Sequence, residues 1–309
     1  MGKIDKQCSC GRDAVIFLPY AKRHLCDLHF SRMFERRVKK TFRERAMAKK
    51  GEKVVVSLSG GKDSSVLLYS LKLLQQDLPM ELAALTVDEG IGRYRSAGVE
   101  NAKRECERLG IEHHMVSFQD EIGSSLDAIM EKSSVNTPCS YCGIIRRYII
   151  NRQARRLGAD RLAVGHNLDD TAQTILMNIM RNEPQRLARL GRPLVDHSML
   201  VPRMRPLMRS PENEIVAYAK LKGIVVLEKS CPYQQFAYRR RVRGMLESME
   251  NEHPGTKFKI LNSFLEMEEM LHRSYSGDAT IDECRECGEP CSHGICKFCS
   301  LITPLLGKS

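Results

Sequence analysis

The stretch SLSGGKDSSVLL at 57–68 combines the residue types that bind a phosphate group. An apolar run precedes it and a helical pattern follows. This predicts a loop at a helix N-terminus, where free N–H groups and the helix dipole favour an anion. Adjacent glycines allow close backbone approach, a lysine adds positive charge and serines add hydroxyl donors. The predicted phosphate-binding residues are Ser59, Gly60, Gly61, Lys62 and Ser64. The loop lacks the G-x-x-x-x-G-K-[ST] pattern of a Walker A motif, and a purely structural Gly-Gly turn is the alternative.

Three cysteines in the central part of the chain have contexts typical of ligands. Cys139 and Cys142 form a C-x-x-C pair in TPCSYCG, and Cys231 precedes a proline in KSCPY. Three thiolates without an evident fourth ligand suggest an iron–sulfur cluster with one open iron. The alternatives are zinc bound by three cysteines and a water, and a catalytic disulfide that carries a persulfide. Cys106 falls on the apolar face of a predicted helix, which indicates a packing role rather than a fourth ligand.

Both ends of the chain carry cysteine groups that predict structural zinc sites. At the C-terminal end, two C-x-x-C pairs form a closed four-ligand pattern. Its ligands are Cys284, Cys287, Cys296 and Cys299, with Cys291 and His293 as spare candidates. The N-terminal set is looser, because C-x-C replaces the usual C-x-x-C. It consists of Cys8, Cys10, Cys26 and His29. A second zinc ion is predicted there, and free thiols on a flexible arm are the alternative.

Strand and helix patterns alternate between residues 51 and 230, which predicts an α/β fold with a doubly wound parallel sheet. The predicted strands are KVVVSLS at 53–59, ELAALTVD at 81–88, HHMVSF at 113–118, RLAVGH at 161–166 and IVVLEKS at 224–230. The predicted helices include 65–76, 97–110, 169–180 and a helix that begins at 212. Ligands of such a sheet gather at the carboxyl ends of its strands. The glycine-rich loop, Asp88, the GHN sequence and Cys231 follow predicted strands, so we expect them to line one crevice.

The sequence S-G-G-K-D-S after an apolar strand resembles the pyrophosphate-binding loop of the ATP pyrophosphatase (PP-loop) superfamily, which has a HUP-like fold. Members split ATP between its α and β phosphates and adenylate a carbonyl oxygen. The resemblance implies that residues 59–64, including Asp63, hold the pyrophosphate and that GHNLDD at 165–170 lies near the nucleotide. Gly165 and Asp170 are then ATP-binding residues, and Asp169 or Asp170 would help to hold Mg²⁺. A helix N-cap is the alternative role for these two aspartates.

The order of parts along the chain resembles that of the tRNA 2-thiouridine synthetases of archaea and eukaryotes. An N-terminal zinc module, a PP-loop domain with P-C-S-Y-C-G and S-C-P-Y, and a C-terminal zinc module follow one another. The resemblance implies that Cys139, Cys142 and Cys231 hold a [4Fe–4S] cluster whose open iron carries the transferred sulfur. Lys62 and Asp63 are the other implied catalytic residues, and ATP is a substrate. Sulfur would come from free sulfide or a thiocarboxylated ubiquitin-like carrier, and a homodimer is expected.

The implied function is 2-thiolation of a tRNA uridine, with the anticodon wobble position favoured over the T-loop. Thiocytidine synthesis also uses internal cysteines, but the two terminal zinc modules favour uridine. Lysidine synthesis needs no internal cysteines. A zinc-bearing RNA-binding scaffold with a structural glycine loop is the non-enzymatic alternative, and tRNA-dependent release of pyrophosphate from ATP would separate the two.

The chain is predicted to divide into five parts. They are an N-terminal zinc finger at 1–30, a basic helical linker at 31–50, a PP-loop domain with the Fe–S site at 51–234, a helical extension at 235–277 and a C-terminal zinc finger at 278–309. The helical extension is expected to break near Pro254 and Gly255.

A net charge of +11 at pH 7 favours a polyanionic partner. Basic runs at 31–50, 186–192, 205–210 and 238–243 would neutralise phosphates without reading base sequence, although each run alone is explained by a solvated face. Together with the charge they favour tRNA. No segment approaches the roughly 18 apolar residues of a membrane span. The stretch MGKIDKQCSC lacks a signal-peptide core, so we expect a cytoplasmic location without membrane contact.

Overall fold

A computed structural model describes residues 7–132, 138–191, 193–195, 197–227, 231–233, 238–277 and 281–306, without the side chain of Arg93. The N-terminal module contains the antiparallel hairpin β1 (Ile16–Leu18) and β2 (Arg23–Leu25). A central parallel sheet consists of β3 (Lys53–Ser57), β4 (Glu81–Asp88), β5 (Glu112–Ser117), β6 (Arg161–Val164) and β7 (Arg203–Met204). Its strand order is β5-β4-β3-β6-β7. The predicted α/β fold with a parallel sheet is confirmed.

Helices connect the strands and cover both faces of the sheet. In chain order they are α1 (Asp27–Glu44), α2 (Lys62–Leu74), α3 (Gly92–Leu109), α4 (Phe118–Ile122), α5 (Leu126–Lys132), α6 (Pro138–Arg156), α7 (Leu168–Met180), α8 (Pro184–Gly191), α9 (Glu212–Leu221), α10 (Tyr238–Glu252) and α11 (Thr256–Ser276). The C-terminal module adds the short pair β8 (Asp282–Glu283) and β9 (Pro290–Cys291), followed by α12 (Lys297–Leu301). Within the described ranges, no helix has the length and apolar character needed to cross a bilayer.

The central strand β3 explains the two-sided packing. Val54 and Val56 belong to one apolar core and Val55 to another, because successive side chains of a strand point to opposite faces. The first core includes residues of α1, α2, α9 and the N-terminal module. The second includes residues of α4, α5, α6 and the C-terminal module. The two cysteine-rich modules therefore pack against opposite faces of the sheet.

The prediction of a fifth strand at 224–230 is wrong for the part that the structure describes. Residues 224–227 follow α9 without strand structure, and 228–230 lie outside the described residues. The position beside β6 is taken by β7, in which Arg203 and Met204 pair with Leu162 and Ala163. A two-residue strand that starts with arginine carries no apolar run, so the sequence pattern could not identify it.

The basic helix predicted at 31–50 is α1, which begins and ends earlier in the chain. Its buried stripe includes Phe34, Val38 and Phe42, as expected from helical spacing. The helix ends at Glu44, and Ala46 has a φ of 43° that a continuing right-handed helix cannot adopt. Further along the chain, α10 and α11 flank Pro254 and Gly255, where the sequence predicted a break.

Candidate active site and metal centres

The glycine-rich loop turns sharply between β3 and α2. Gly60 has a φ of 77°, and a Cβ there would lie 1.8 Å from the Gly98 carbonyl oxygen, so only glycine fits. The Ser64 hydroxyl accepts from the Ser59 N–H at 3.1 Å and donates to the Gly61 carbonyl at 3.0 Å. Helix α2 begins directly after Gly61, so its first N–H groups have no helical partners. The loop therefore offers the backbone donors and the dipole that favour an anion.

Two buried side chains of α3 hold carbonyl groups of this loop. Arg95 Nη1 donates to the Ser59 carbonyl at 2.5 Å, and Asn101 Nδ2 donates to the Gly60 carbonyl at 2.6 Å. These contacts fix the loop backbone. The N–H groups of Ser59 and Gly61 donate to serine hydroxyls, so the N–H groups at the start of α2 are the donors for a ligand. Sequence reasoning missed both residues, since their partners lie 36 and 41 positions away.

We expect Asn101→Ala to raise the KM for ATP about 10-fold while kcat changes little. The variant leaves the Gly60 carbonyl buried without a donor, which costs about 1–3 kcal/mol and loosens the loop. The measurement is pyrophosphate release at varied ATP concentration with saturating RNA substrate. Lys103→Ala, on the exposed side of the same helix, is the control and should keep the wild-type KM. A wild-type KM in Asn101→Ala would contradict this role.

Lys62 lies between two carboxylates. Its Nζ atom is 2.9 Å from Asp63 Oδ2 and 2.8 Å from Glu212 Oε1. Burial favours the neutral amine, but the charges of Asp63 and Glu212 outweigh it and raise the pKa of Lys62. Glu212, at the start of α9, also binds Arg243 of α10 at 2.8 Å. A single carboxylate therefore connects the loop cation to α10, a connection that sequence reasoning missed.

The segment at 165–170 joins β6 to α7 and packs against the start of α2. A Cβ on Gly165 would lie 3.0 Å from the Ser64 nitrogen, so glycine permits this approach. Asn167 and Asp170 form a reciprocal cap of α7, and Asn167 Nδ2 donates to Asp63 Oδ1 at 2.9 Å. Burial, followed by the charge of Asp63, raises the pKa of Asp170 to about 6. Asp63 and Asp170 are neighbouring carboxylates with the oxygen donors that Mg²⁺ prefers, which makes them the candidate ligands for that ion.

Asp169 has different contacts from its neighbour. One carboxylate oxygen binds the Lys257 ammonium of α11, and the other accepts from the Glu212 N–H at 2.8 Å. The sequence left Asp169 and Asp170 as equivalent candidates. Their contacts separate them, because Asp169 anchors α9 and α11 whereas Asp170 faces the glycine-rich loop.

The three internal cysteines lie at the start of α6 and in the segment 231–233. Cys139 Sγ donates to the Tyr233 carbonyl oxygen at 3.4 Å, which places that segment beside the first turn of α6. Burial raises the pKa of the Cys142 thiol to about 12. Arg146 opposes this rise, and the charges of Cys231 and Cys139 add to it. Cys142 and Cys231 also pack against the same apolar core. The fold therefore brings these three thiols into one region.

Two ion pairs of one buried glutamate connect this region to the glycine-rich loop. Glu89, directly after β4, lies 2.6 Å from Arg95 Nε and 3.4 Å from Arg146 Nη1. Arg95 holds the Ser59 carbonyl, and the charge of Arg146 acts on Cys142. The loop, Glu89 and the 165–170 segment follow β3, β4 and β6, so they share the carboxyl end of the sheet. Sequence reasoning missed Glu89 and Arg146. The position of Arg146 one turn beyond Cys142 is the signal that would have identified it.

Two compact ligand sets lie near the ends of the described chain. In each set the ligand atoms are within 4.8 Å of one another, and the sets are Cys8, Cys10, Cys26 and His29, and Cys284, Cys287, Cys296 and Cys299. One sulfur pair in each set, Cys10 with Cys26 and Cys287 with Cys296, is 3.7 Å apart. Tetrahedral zinc with bonds of about 2.3 Å separates its sulfur ligands by about 3.8 Å, so both sets fit zinc.

The remaining cysteines lie outside these compact sets. Among the described residues, no third set of three or more ligands is as compact, so Cys139, Cys142 and Cys231 are not drawn around one point. The spare candidates Cys291 and His293 do not belong to the C-terminal set. Cys106 is 1% exposed in the core under α3, which agrees with its predicted packing role.

Comparisons with known proteins agree with this geometry. A model of the PP-loop domain matches residues 30–249, and a model described as 2-thiouridine synthetase TtuA, N-terminal LIM domain, matches residues 7–31. The tRNA 2-thiolation protein NcsA of Haloferax volcanii is 38% identical, with 95% of this chain and 97% of the relative covered. A tRNA-5-methyluridine(54) 2-sulfurtransferase of Pyrococcus horikoshii is 35% identical, with 94% and 91% covered.

A solved structure extends the likeness to three dimensions. The U34-tRNA thiolase NcsA from Methanococcus maripaludis, determined with its [4Fe-4S] cluster, has a TM-score of 0.81 and 35% identity, and the match covers 96% of this chain and 95% of that one. The family resemblance drawn from the sequence is confirmed. The chain belongs to the family of PP-loop tRNA 2-thiolation proteins.

Proposed function

We propose that this protein is an ATP-dependent tRNA-uridine 2-sulfurtransferase that acts on the anticodon wobble uridine. The observation that carries the proposal is the link from the glycine-rich loop through Arg95, Glu89 and Arg146 to Cys142 at the carboxyl end of one sheet. Activation of a carbonyl oxygen requires a phosphate-binding loop, and replacement of that oxygen by sulfur requires thiol ligands. Both must be within reach of the same substrate base. The likeness to a U34-tRNA thiolase supports the wobble position.

The first step requires the uridine O2 atom to attack the α-phosphorus of ATP. The bond between the α- and β-phosphates breaks, and pyrophosphate departs. The N–H groups at the start of α2 and the Lys62 ammonium would stabilise its developing charge. Asp63 and Asp170 would hold Mg²⁺, which would neutralise phosphate oxygens when bound.

The second step replaces the adenylated oxygen by sulfur and releases AMP. Cys139, Cys142 and Cys231 would hold three irons of a [4Fe–4S] cluster, and the cluster when bound would supply an open iron site for sulfide. The fit of these residues to a cluster rests on their chemistry, since three thiols lie in one partly apolar region. Their sulfur atoms are less closely spaced than the ligand atoms of the two terminal sets. The chain's own contribution is local positive charge, since Arg146 favours the thiolate form of Cys142.

The terminal modules have structural roles in this proposal. Each offers four ligands, so a bound zinc ion has no open position for substrate. They would hold two zinc ions and extend the surface available to tRNA. Free sulfide or a thiocarboxylated ubiquitin-like carrier would supply the sulfur, and we retain a homodimer as the assembly to be tested.

A reconstituted reaction tests the proposal. Anaerobically prepared protein is incubated with tRNA transcripts, ATP, Mg²⁺ and sulfide. Pyrophosphate and AMP are then quantified, and the 2-thiouridine is mapped by nucleoside and fragment mass spectrometry. We expect tRNA-dependent release of one pyrophosphate per 2-thiouridine formed, with the sulfur at the wobble position. Sulfur in the T-loop would overturn the wobble assignment, and the relative named for uridine 54 makes this the second candidate. RNA binding without release of pyrophosphate would overturn the enzymatic function and favour a non-catalytic RNA-binding scaffold.

A further inference from the structure

Helix α6 continues past the cysteines with an arginine that meets two further arginines beside β7. The Arg147 guanidinium folds back over Gly143, where an added Cβ would lie 3.3 Å from Arg147 Nη1. Arg203 begins β7, and Arg205 follows it. We refer to Arg147, Arg203 and Arg205 as the arginine cluster. Because Gly143 directly follows Cys142, the cluster lies next to the internal cysteines.

The arginine cluster contains positive charge without a matching negative charge. Arg147 and Arg203 are exposed and Arg205 is half-buried, and the charges of Arg147 and Arg205 both act on Arg203. Arg147 and Arg203 have no carboxylate or hydrogen-bond partner among the described residues, and Arg205 donates only to the Leu190 carbonyl, at 2.8 Å. Exposed guanidinium groups without acidic partners present their positive charge to solvent, so the cluster favours an external anion that approaches from outside.

The cluster borders two neighbouring cavities. Arg203 and Arg205 line a cavity of about 890 Å³, and Arg203 and Arg147 line one of about 240 Å³. Lys297, in the C-terminal module, lines the smaller cavity as well. The carboxylate in that cavity, Glu289, is already paired with two arginines of α6. The cavities therefore expose a positive surface that reaches the C-terminal module.

In the other direction the positive field reaches the 165–170 segment. His166, an exposed residue of this segment, lies in the field of the Arg205, Arg239, Arg146 and Arg203 charges. The arginine cluster thus lies between the C-terminal module and the crevice that holds the nucleotide segment. A single small anion would use only part of this surface, whereas an RNA backbone carries phosphates at regular intervals along it.

We propose that the arginine cluster binds a backbone phosphate of the substrate RNA and holds the strand between the C-terminal module and the crevice. This inference rests on the proposed function, because it takes tRNA as the substrate. A phosphate contact here fixes the position of the strand without reading its bases. Its role is positioning, since no part of the cluster touches the reacting atoms.

The test measures tRNA affinity of the cofactor-loaded protein at several salt concentrations. Arg147→Gln, Arg203→Gln and the double variant remove charge and keep polar side chains. We expect the double variant to reduce the slope of log affinity against log salt by about 1, and to raise the KM for tRNA about 10-fold with kcat and the KM for ATP unchanged. Arg203→Lys should retain the wild-type slope. Lys103→Gln, near β5 at the opposite sheet edge, is the matched control and should have no effect.

Each other outcome overturns the inference. A double variant with wild-type slope and KM for tRNA would show that the cluster does not contact RNA. Loss of inorganic phosphate binding with unchanged tRNA affinity would assign the cluster to a small anion instead. If the wild type forms 2-thiouridine and the variants have the wild-type salt slope and KM for tRNA, only the inference is refuted. Wild-type protein that neither binds nor thiolates tRNA refutes the proposed function and the inference with it.

Discussion

Replacing Cys142 with alanine will abolish sulfur transfer while the fold is retained. The thiol lies on α6 within the region shared by Cys139 and Cys231, and the charge of Arg146 acts on it. Loss of partners that only support a metal ligand already costs about 10- to 100-fold, so loss of a ligand should reduce thiolation by more than about 100-fold. The side chain is half-buried, so we expect the free energy of unfolding to change by only about 1 kcal/mol.

The measurement compares 2-thiouridine formation, iron content and thermal unfolding of anaerobically purified variants. Cys139→Ala and Cys231→Ala should lose thiolation and the brown iron–sulfur absorbance in the same way. Cys106→Ala is the matched control, because Cys106 is a buried thiol in the other core and should keep full activity. A fully active Cys142→Ala would remove this residue from the ligand set. Colourless anaerobic wild-type protein with three zinc ions would favour the zinc alternative.

Local sequence patterns identified the parts of the site that depend on nearby residues. The glycine-rich loop was predictable because its glycines, lysine and helix start are adjacent, and the structure places them at the end of β3. Both terminal ligand sets were predictable for the same reason, since ligand spacing is a short-range property. The sequence placed the alternative helix cap at Asp169 or Asp170; in the structure Asn167 is the N-cap of α7, and Asp170 completes the capping box from the third helical position.

Most of the residues that sequence reasoning missed act over long separations, although Arg146 lies only one helical turn from Cys142. Glu212 reaches Lys62 across 150 positions, and Arg95 reaches Ser59 across 36. No local sequence motif around Glu212 or Arg95 indicates these partners, because each contact depends on how the helices pack on the sheet. The wrong strand at 224–230 has a related cause. An apolar run after a helix matches a strand pattern, but the sheet edge is occupied by β7, whose two residues carry no pattern.

The same packing explains how separate sites can act on one substrate. Helix α3 holds the carbonyls of the glycine-rich loop, and Arg95 on that helix pairs with Glu89, which in turn contacts Arg146 on α6. Displacement of α3 would therefore alter both the glycine-rich loop and the surroundings of Cys142. This arrangement suits a reaction in which the adenylated base must meet sulfur before water reaches it.

Lys62→Ala will reduce tRNA-dependent pyrophosphate release about 100- to 1,000-fold. The ammonium lies at the start of α2, where it would meet the charge that develops on the departing pyrophosphate, and loss of one such preorganised group typically has an effect of this size. The variant should fold normally, because Glu212 keeps its 2.8 Å contact with Arg243 after Lys62 is removed.

The measurement is single-turnover formation of AMP and pyrophosphate with saturating ATP and tRNA. Lys72→Ala, in the last turn of α2, removes the same charge away from the loop and serves as the control. Lys62→Arg keeps the positive charge but replaces the compact ammonium by a planar guanidinium group, so this variant should recover only part of the wild-type rate of pyrophosphate release. If Lys62→Ala turned over ATP as fast as the wild type, pyrophosphate would have to leave from another site. The positive end of α2 would then serve only the fold, and the adenylation step would need a different cation.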